Sequence, residues 1–484
     1  MPDEGLIFDR ATAGAMACRL PECDVPAQPV GELLPAGALR DAPPVLPEVY
    51  EWDIVRHYTR LSQQCYGIDT GIYPLGSCTM KYNPRLHEDL AHLPGFSHIH
   101  PEQPAEQLQG ALRLMRELEA MLCAIGGMDC VSLQPPAGAQ GEFSALLAFR
   151  AYHTGRGQAQ RTRIIVPDSS HGTNPASAAR CGFTITHVPS GPCGLMGPAE
   201  LRAALSDDVA GLMLTNPNTL GLFEREVEQI CAMVHDAGGL VYCDGANMNA
   251  LMGIARPGDM GFDAMHFNLH KTFSTPHGGG GPGAGPIGVK SILEPYLPVP
   301  RITERTDGTL DLDYDRAKSI GRVHTFLGNF GVLVRAYAYI LSHGAQGLTE
   351  VTRRAVLNAN YVRERLAEAF DIPHEGPCMH EFVLSAERQA SEHGCRALDI
   401  AKRLIDLGIH PPSVYFPLIV HEAMMIEPTE TETKQSLDGL VDAFLQVARE
   451  CKESPDLVRG APQTAYRTRL DEAKAARDLK LRAG

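Results

Sequence analysis

No stretch of this chain comes near the roughly 18 consecutive apolar residues that a membrane-spanning helix needs, so no membrane partner is expected. Positive charge is not in excess either. Lys and Arg total 43 against 58 Asp and Glu, leaving a net charge of −15. Without a basic face, neither nucleic acid nor an anionic membrane is expected as the main partner. Paired-cysteine spacing is missing too: the 13 cysteines are odd in number, contain no CxxC, and scatter from Cys18 to Cys451. That predicts a reduced, intracellular protein whose thiols are mostly small core residues. The opening MPDEGLIFDR has acids where a secretory signal needs positive charge, and no apolar stretch follows, which points to the cytoplasm. There is no HExxH, no glycine-rich loop ending in Lys-Ser/Thr, and no GxGxxG opening a helix after a strand. His266 and His270 are four apart but lie on or just after a strand, where that spacing does not bring them together, so no metal is expected.

What is present reads as an ordinary globular chain, 44% hydrophobic and 21% charged, whose 484 residues suggest two or three domains. The first hundred or so residues are rich in proline and loop formers and read as an extended arm. A helix is predicted at ALRLMRELEAMLCAIGG, with Leu112, Met115, Leu118 and Leu122 on one face and Gly126 as its stop. From there to about residue 290, short apolar runs (RIIVP, FTITHVP, VAGLMLTNP, LVYCDGAN, FDAMHFN) alternate with helical segments such as FEREVEQICAMVHDAGG. Such alternation predicts βα units and a mostly parallel sheet covered on both faces, with ligands at the carboxyl ends of the strands. A second α/β region begins near Glu375 and ends in a charged tail. The expected division is an arm over 1–105, a large α/β domain over 106–335, and a small α/β domain with tail over 336–484.

Four features fall at predicted strand ends. Lys271 follows the FDAMHFN strand and precedes four glycines at 278–281, whose bare backbone could approach a ligand closely. Most lysines are solvated surface residues. An amine in a desolvated, strand-end setting is instead the kind that forms Schiff bases. Asp244 closes the strand LVYCD; such an acid could simply cap a turn, or could hold a proton on a pyridinium nitrogen. Gly138 and Gly141 bracket Ala139 and Gln140 before an apolar helix, which is either only a turn or an anion site suited to a phosphate. His171, after RIIVP, could be a polar loop residue or could stack on a cofactor ring. Together the four describe a pocket for pyridoxal phosphate (PLP).

The order glycine-rich loop, histidine, strand-end Asp, His-Lys is that of fold type I PLP enzymes, the aspartate aminotransferase-like group. The longer strings YPLGSCTMKYNP, SSHGTNPASA, TNPNTLGLFE, DGANMNALMG, NLHKTFSTPHGGGGPGAGPIGV, MHEFVLS and PPSVYFPLIVHEAMMIEPTETE resemble the decarboxylating glycine dehydrogenases. The likeness is to the second subunit of their two-subunit form and the C-terminal half of the fused form, the P-protein of the glycine cleavage system. It runs from about residue 50 to the C-terminus, with no departure at the PLP positions. The resemblance implies that Lys271 carries PLP, Asp244 meets the pyridine nitrogen and His171 stacks on the ring. It also implies that Ala139, Gln140 and His270 bind the phosphate and that Thr215 touches the ring oxygen. The implied reaction is decarboxylation of glycine with transfer of the aminomethyl group to the lipoyl group of H-protein. The implied partner is subunit 1, two copies of each. A different fold type I enzyme, such as an amino-acid decarboxylase or serine hydroxymethyltransferase, and a non-catalytic interaction subunit are the competing expectations.

Overall fold

The computed structural model describes residues 4–277, 283–479 and 481. Its chain divides into two compact units, Gly71–Ala461 and a smaller one made of Met1–Thr70 with Pro462–Gly484. The smaller unit is mostly loop, with one twelve-residue helix, Glu51–Ser62. There the Glu4 carboxylate gathers Arg60 Nε at 2.6 Å, His57 Nδ1 at 2.8 Å and Arg10. Among the described residues no helix is long and apolar enough to cross a membrane.

The larger unit is built on a seven-stranded sheet. Its strands are β1 (Cys130–Ser132), β2 (Arg163–Pro167), β3 (Thr184–Val188), β4 (Val209–Thr215), β5 (Leu240–Asp244), β6 (Ala264–His266) and β7 (Ile287–Val289). Their order is β1-β7-β6-β5-β4-β2-β3, and only β7 runs antiparallel to its neighbours. This is the mostly parallel α/β architecture the alternating pattern predicts. The central strands are buried along nearly their whole length, so they read as continuous apolar runs. Successive side chains nonetheless point to opposite faces. Ile165, Leu212, Leu214, Val241 and Cys243 join one core cluster, while Ile164, Met213 and Tyr242 join the other.

Helix α1 (Gln109–Gly126) buries Leu112, Met115, Leu118 and Leu122 as expected, but Gly126 is not its stop. The stop is Gly127, whose φ of 69° suits glycine. Gly126 serves packing instead: a Cβ there would lie 2.8 Å from Met265 Sδ and Phe267 Cζ. Leu118 is fully buried in the core under this helix. Leu118→Ala is expected to cost about 2–5 kcal/mol of stability, measured by denaturant unfolding of the full chain.

A β8–β9 hairpin (Arg301–Glu304, Leu310–Asp313) leads to a long helix, α2 (Phe330–Leu366), broken at Gly344. Beyond it, β10 (Phe382–Ser385), β11 (Ser413–Val414) and β12 (Ala423–Ile426) form an antiparallel sheet in the order β10-β12-β11. The YPLGSCTMKYNP segment docks on that sheet. Leu75 bridges to Ile426, and Gly76 N donates to Met425 O at 3.2 Å. All 13 cysteines are free, but only six are buried, three are half-buried and four are exposed. The expectation that they are mostly core residues is therefore corrected: an apolar thiol can be buried, but nothing obliges it to be.

Candidate active site

The carboxyl ends of β4, β5 and β6 lie side by side. Thr215 and Asp244, the last residues of β4 and β5, are direct partners in the ladder. His266 ends β6 beside them. They open onto a cavity of about 230 Å³ that is also lined by Gly138, Ala139, His171, His270 and Lys271. The ends of β4 and β5, the loops after β2 and β6 and one helix start thus supply the residues the sequence singled out, as expected at the carboxyl edge of a parallel sheet. Gln140 is in the same helical turn as Ala139 but does not line the cavity.

Lys271 does not directly follow the strand. It sits in a single turn, Leu269–Thr272, five residues past His266. Both sides of that turn are pinned: Met248 N donates to Thr272 Oγ1 at 2.8 Å, and Lys81 Nζ donates to Thr272 O at 2.8 Å. Lys81 is buried and ion-paired with Glu430 at 2.8 Å. No hydrogen bond or ion pair engages the Lys271 amine among the described residues. The glycines at 278–281 lie outside the described residues. Just past them, Gly283 has a φ of 60°, and a Cβ there would fall 2.3 Å from His270 Cβ.

The Asp244 carboxylate is buried. Burial pushes its pKa up, but His266, the Asn174 amide, Lys271 and the Ala246 N–H outweigh it and hold the group below its ordinary value. Asn174 Nδ2 donates at 2.9 Å and Ala246 N at 3.2 Å. Burial drives His266 down to about 4, with Asp244 opposing. We take the imidazole as neutral and Asp244 as charged. The buried Tyr242 hydroxyl, pushed well above its usual value, donates to His266 Nδ1, which leaves Nε2–H facing Asp244 Oδ1 at 3.7 Å. His266 is a site residue that the spacing argument set aside. His266 and His270 do line one cavity, because the chain leaves the strand between them.

Helix Gly138–Gly155 points its N-terminus at the same cavity. Gly138 packs so closely that a Cβ would meet Asn268 Oδ1 at 2.5 Å, and Asn268 Oδ1 is itself buried without a partner, as is Thr215 Oγ1. His171 stands exposed at the cavity rim, its Nδ1 2.8 Å from Thr173 Oγ1, which in turn donates to Glu142 at 2.7 Å. Burial and then the Asp244 charge raise Glu142 to about 7. Ser77, His380 and Glu381 also line the cavity, and none of them could be found by the strand-end logic. Ser77 and Thr79 hold φ of 65° and 56°, a conformation that side-chain-bearing residues rarely adopt and that clusters at functional sites.

Residues 351–464 match the family model "Glycine dehydrogenase, C-terminal domain", and residues 141–280 match "Aminotransferase class-V". The chain is 56% identical over 477 residues to a probable glycine dehydrogenase (decarboxylating) subunit 2 from Caldanaerobacter subterraneus subsp. tengcongensis, covering 99% of this chain and 98% of that protein. A protein of the same description from Exiguobacterium sibiricum is 57% identical over 480 residues, 99% and 97% of the two chains. The chain belongs to the glycine dehydrogenase (decarboxylating) subunit 2 family. Among solved structures, the inhibitor-bound glycine decarboxylase (P-protein) of the glycine cleavage system superposes with a TM-score of 0.73 at 21% identity, covering 86% of this chain and 94% of that one. Oryza sativa TDC, solved with PLP and tryptamine, gives 0.64 at 13% identity over 88% and 92%. At those identities the likeness is one of fold, and the fold is that of type I PLP enzymes.

Proposed function

We propose that this subunit binds PLP and, with subunit 1, removes carbon dioxide from glycine and passes the aminomethyl group to the lipoyl disulfide of H-protein. The observation that carries this reading is an unengaged lysine amine sharing one cavity with a buried, ionised aspartate at the end of β5. The residues present fit the cofactor. Two buried oxygens without partners, Thr215 Oγ1 and Asn268 Oδ1, are polar groups that a ligand would satisfy. An eighteen-residue helix offers its first N–H groups to a phosphate beside Ala139, with Gln140 in the same turn and His270 lining the same cavity.

Bound here, PLP would supply a protonated ring that delocalises the electron pair left when carbon dioxide departs. Lys271 is the amine to hold the cofactor aldehyde and to yield to the amine of glycine. The Asp244 carboxylate keeps the ring nitrogen protonated, with Asn174 and the Ala246 N–H fixing its orientation. With PLP bound, His171 would cover the ring from the rim and Thr215 would meet the ring oxygen. Assembly as two copies of each subunit follows the family pattern.

Gly285 sits where the turn before the phosphate helix meets β7. Its N–H donates to Pro135 O at 3.0 Å, and a Cβ would lie 2.0 Å from Ala137 O. Gly285→Ala is expected to prise that turn away and weaken PLP binding by about tenfold, equivalent to roughly 1.4 kcal/mol. A spectroscopic PLP titration of the full chain with subunit 1 would read this.

The function is tested by carbon dioxide release from carboxyl-labelled glycine. Release should require the chain, subunit 1, PLP and lipoylated H-protein together. Equal release without the lipoyl acceptor would favour a simple amino-acid decarboxylase, and aldol cleavage of serine would favour a hydroxymethyltransferase.

A further inference from the structure

At the cavity lies a cluster that the preceding roles leave unused. His380, Glu381 and Glu427 are buried, and their ligand atoms lie within 4.8 Å of one another. His380 is 2% exposed, lines the cavity, and neither of its ring nitrogens has a hydrogen-bond partner. Its Nε2 lies 3.7 Å from Glu381 Oε1. The two carboxyls are treated very differently. Glu427 accepts from Thr79 N at 3.1 Å, Thr79 Oγ1 at 3.0 Å, Asn247 Nδ2 at 2.8 Å and Asn249 Nδ2 at 3.4 Å. Glu381 accepts from Ser77 N at 2.8 Å. Hydrogen bonds to an anion favour the anion, so Glu427 is the stronger acid and Glu381 is where a proton resides.

Decarboxylation of glycine with transfer to a disulfide makes a specific demand on such a group. Glycine arrives as an ammonium, and its nitrogen must shed one proton before it can bond to carbon. The Cα–carboxylate bond then breaks, carbon dioxide leaves, and the electron pair forms a C–S bond to one sulfur of the cyclic disulfide. The S–S bond breaks and its pair stays on the other sulfur, so the disulfide is reduced by two electrons drawn from glycine. That thiolate needs one proton. The balance is internal: the hydrogens of glycine reappear as the aminomethyl group and one thiol, with no net proton from water.

Resting on the glycine reading, we propose that His380, Glu381 and Glu427 form a proton store: Glu381 gives the proton it holds at rest to the departing sulfur, and the ionised Glu427 takes the proton shed by glycine's ammonium and refills Glu381 through His380. A store must sit out of bulk water, face the reacting groups, and hold a proton that it can release. Burial, and then the Glu427 charge, push Glu381 up to about 8, with the Ser77 N–H and Lys271 opposing. Burial, Lys271 and Lys81 push His380 down to about 3, leaving a neutral ring with a nitrogen free to relay. The charged and titratable groups facing the pair are Lys271, Lys81, Glu427 and the Cys78 thiol.

Infrared titration of the full chain should show a protonated carboxyl at pH 7 that ionises with a midpoint near 8 and vanishes in Glu381→Gln. Gln can still accept from Ser77 N–H, so the fold should persist. In the complete system, carbon dioxide release by Glu381→Gln should fall on the order of 10²-fold with unchanged glycine affinity. In a single turnover of Glu381→Gln, a pH indicator in weak buffer should report a proton released to water and then taken back with no net change, a transient that wild type does not show, and Glu381→Asp or added acetic acid should restore part of the rate. A wild-type rate in Glu381→Gln, or no Glu381-dependent protonated carboxyl, would overturn the store while leaving the glycine reading standing. Failure of wild type to decarboxylate glycine would instead defeat that reading. Stoichiometric zinc binding lost in His380→Ala would make the cluster a metal site and overturn the store as well.

Discussion

Lys271→Ala is expected to abolish covalent attachment of PLP and to lower glycine decarboxylation by on the order of 10⁴-fold or more, because among the described residues no other lysine lines the cavity. Lys271 and Lys81 are the lysines held near the cavity, and Lys81 is committed to Glu430 and to the Thr272 carbonyl. The fold should survive. The Lys271 turn is anchored through Thr272 rather than through the lysine side chain, which is only half-buried and faces the cavity. An unchanged thermal melt together with loss of the cofactor absorbance would match the expectation. Substantial residual turnover would mean that the reactive amine lies elsewhere.

Asp244→Asn should leave PLP bound and cut carbon dioxide release by on the order of 10²-fold or more, since the ring nitrogen loses the anion that keeps it protonated. The shape is conserved and an amide oxygen can still accept from the Ala246 N–H, so the defect should fall on the chemical step. Asp244 stays ionised below the usual carboxylate range despite its burial. A folded-state pKa that is depressed contributes stability above the unfolded value, near 3.9, and this is lost as pH falls through the folded one. The Asp244 charge therefore sets no limit on activity across neutral pH, and wild type should show no activity limb from this residue above pH 4. A near-normal rate in Asp244→Asn would reduce the residue to a strand-end cap.

Half of this site was legible in the sequence because parallel strands announce themselves as apolar runs, and their last residues must face one edge. Asp244 and the approach to His171 and Lys271 follow from that rule alone, while Thr215 came only from the family resemblance. His266 was missed because a strand-and-turn path brought it to Asp244 where regular spacing gave no such expectation. His380, Glu381 and Glu427 were missed for a different reason: they are buried polar residues beside antiparallel strands, and the Ser77–Thr79 turn that binds the two glutamates lies 304 to 348 residues away in the chain. Local patterning carries no signal for such contacts. The available hint was chemical, a His-Glu pair at 380–381 immediately before the buried strand Phe382–Ser385. The loop after β4 seats this pair: Gly221 has a φ of 78°, and a Cβ there would lie 1.9 Å from Glu381 O. The Gly126 misreading is of a smaller kind, since two adjacent glycines at a helix end divide the roles of close packing and left-handed stop.

The central claim is that Lys271 is the residue that carries the cofactor. Borohydride reduction of the chain loaded with PLP in the presence of subunit 1, followed by peptide mapping, tests it most directly. One phosphopyridoxyl-labelled peptide of this chain, containing Lys271, is expected, with no label in Lys271→Ala. Label on a peptide that lacks Lys271 would contradict it.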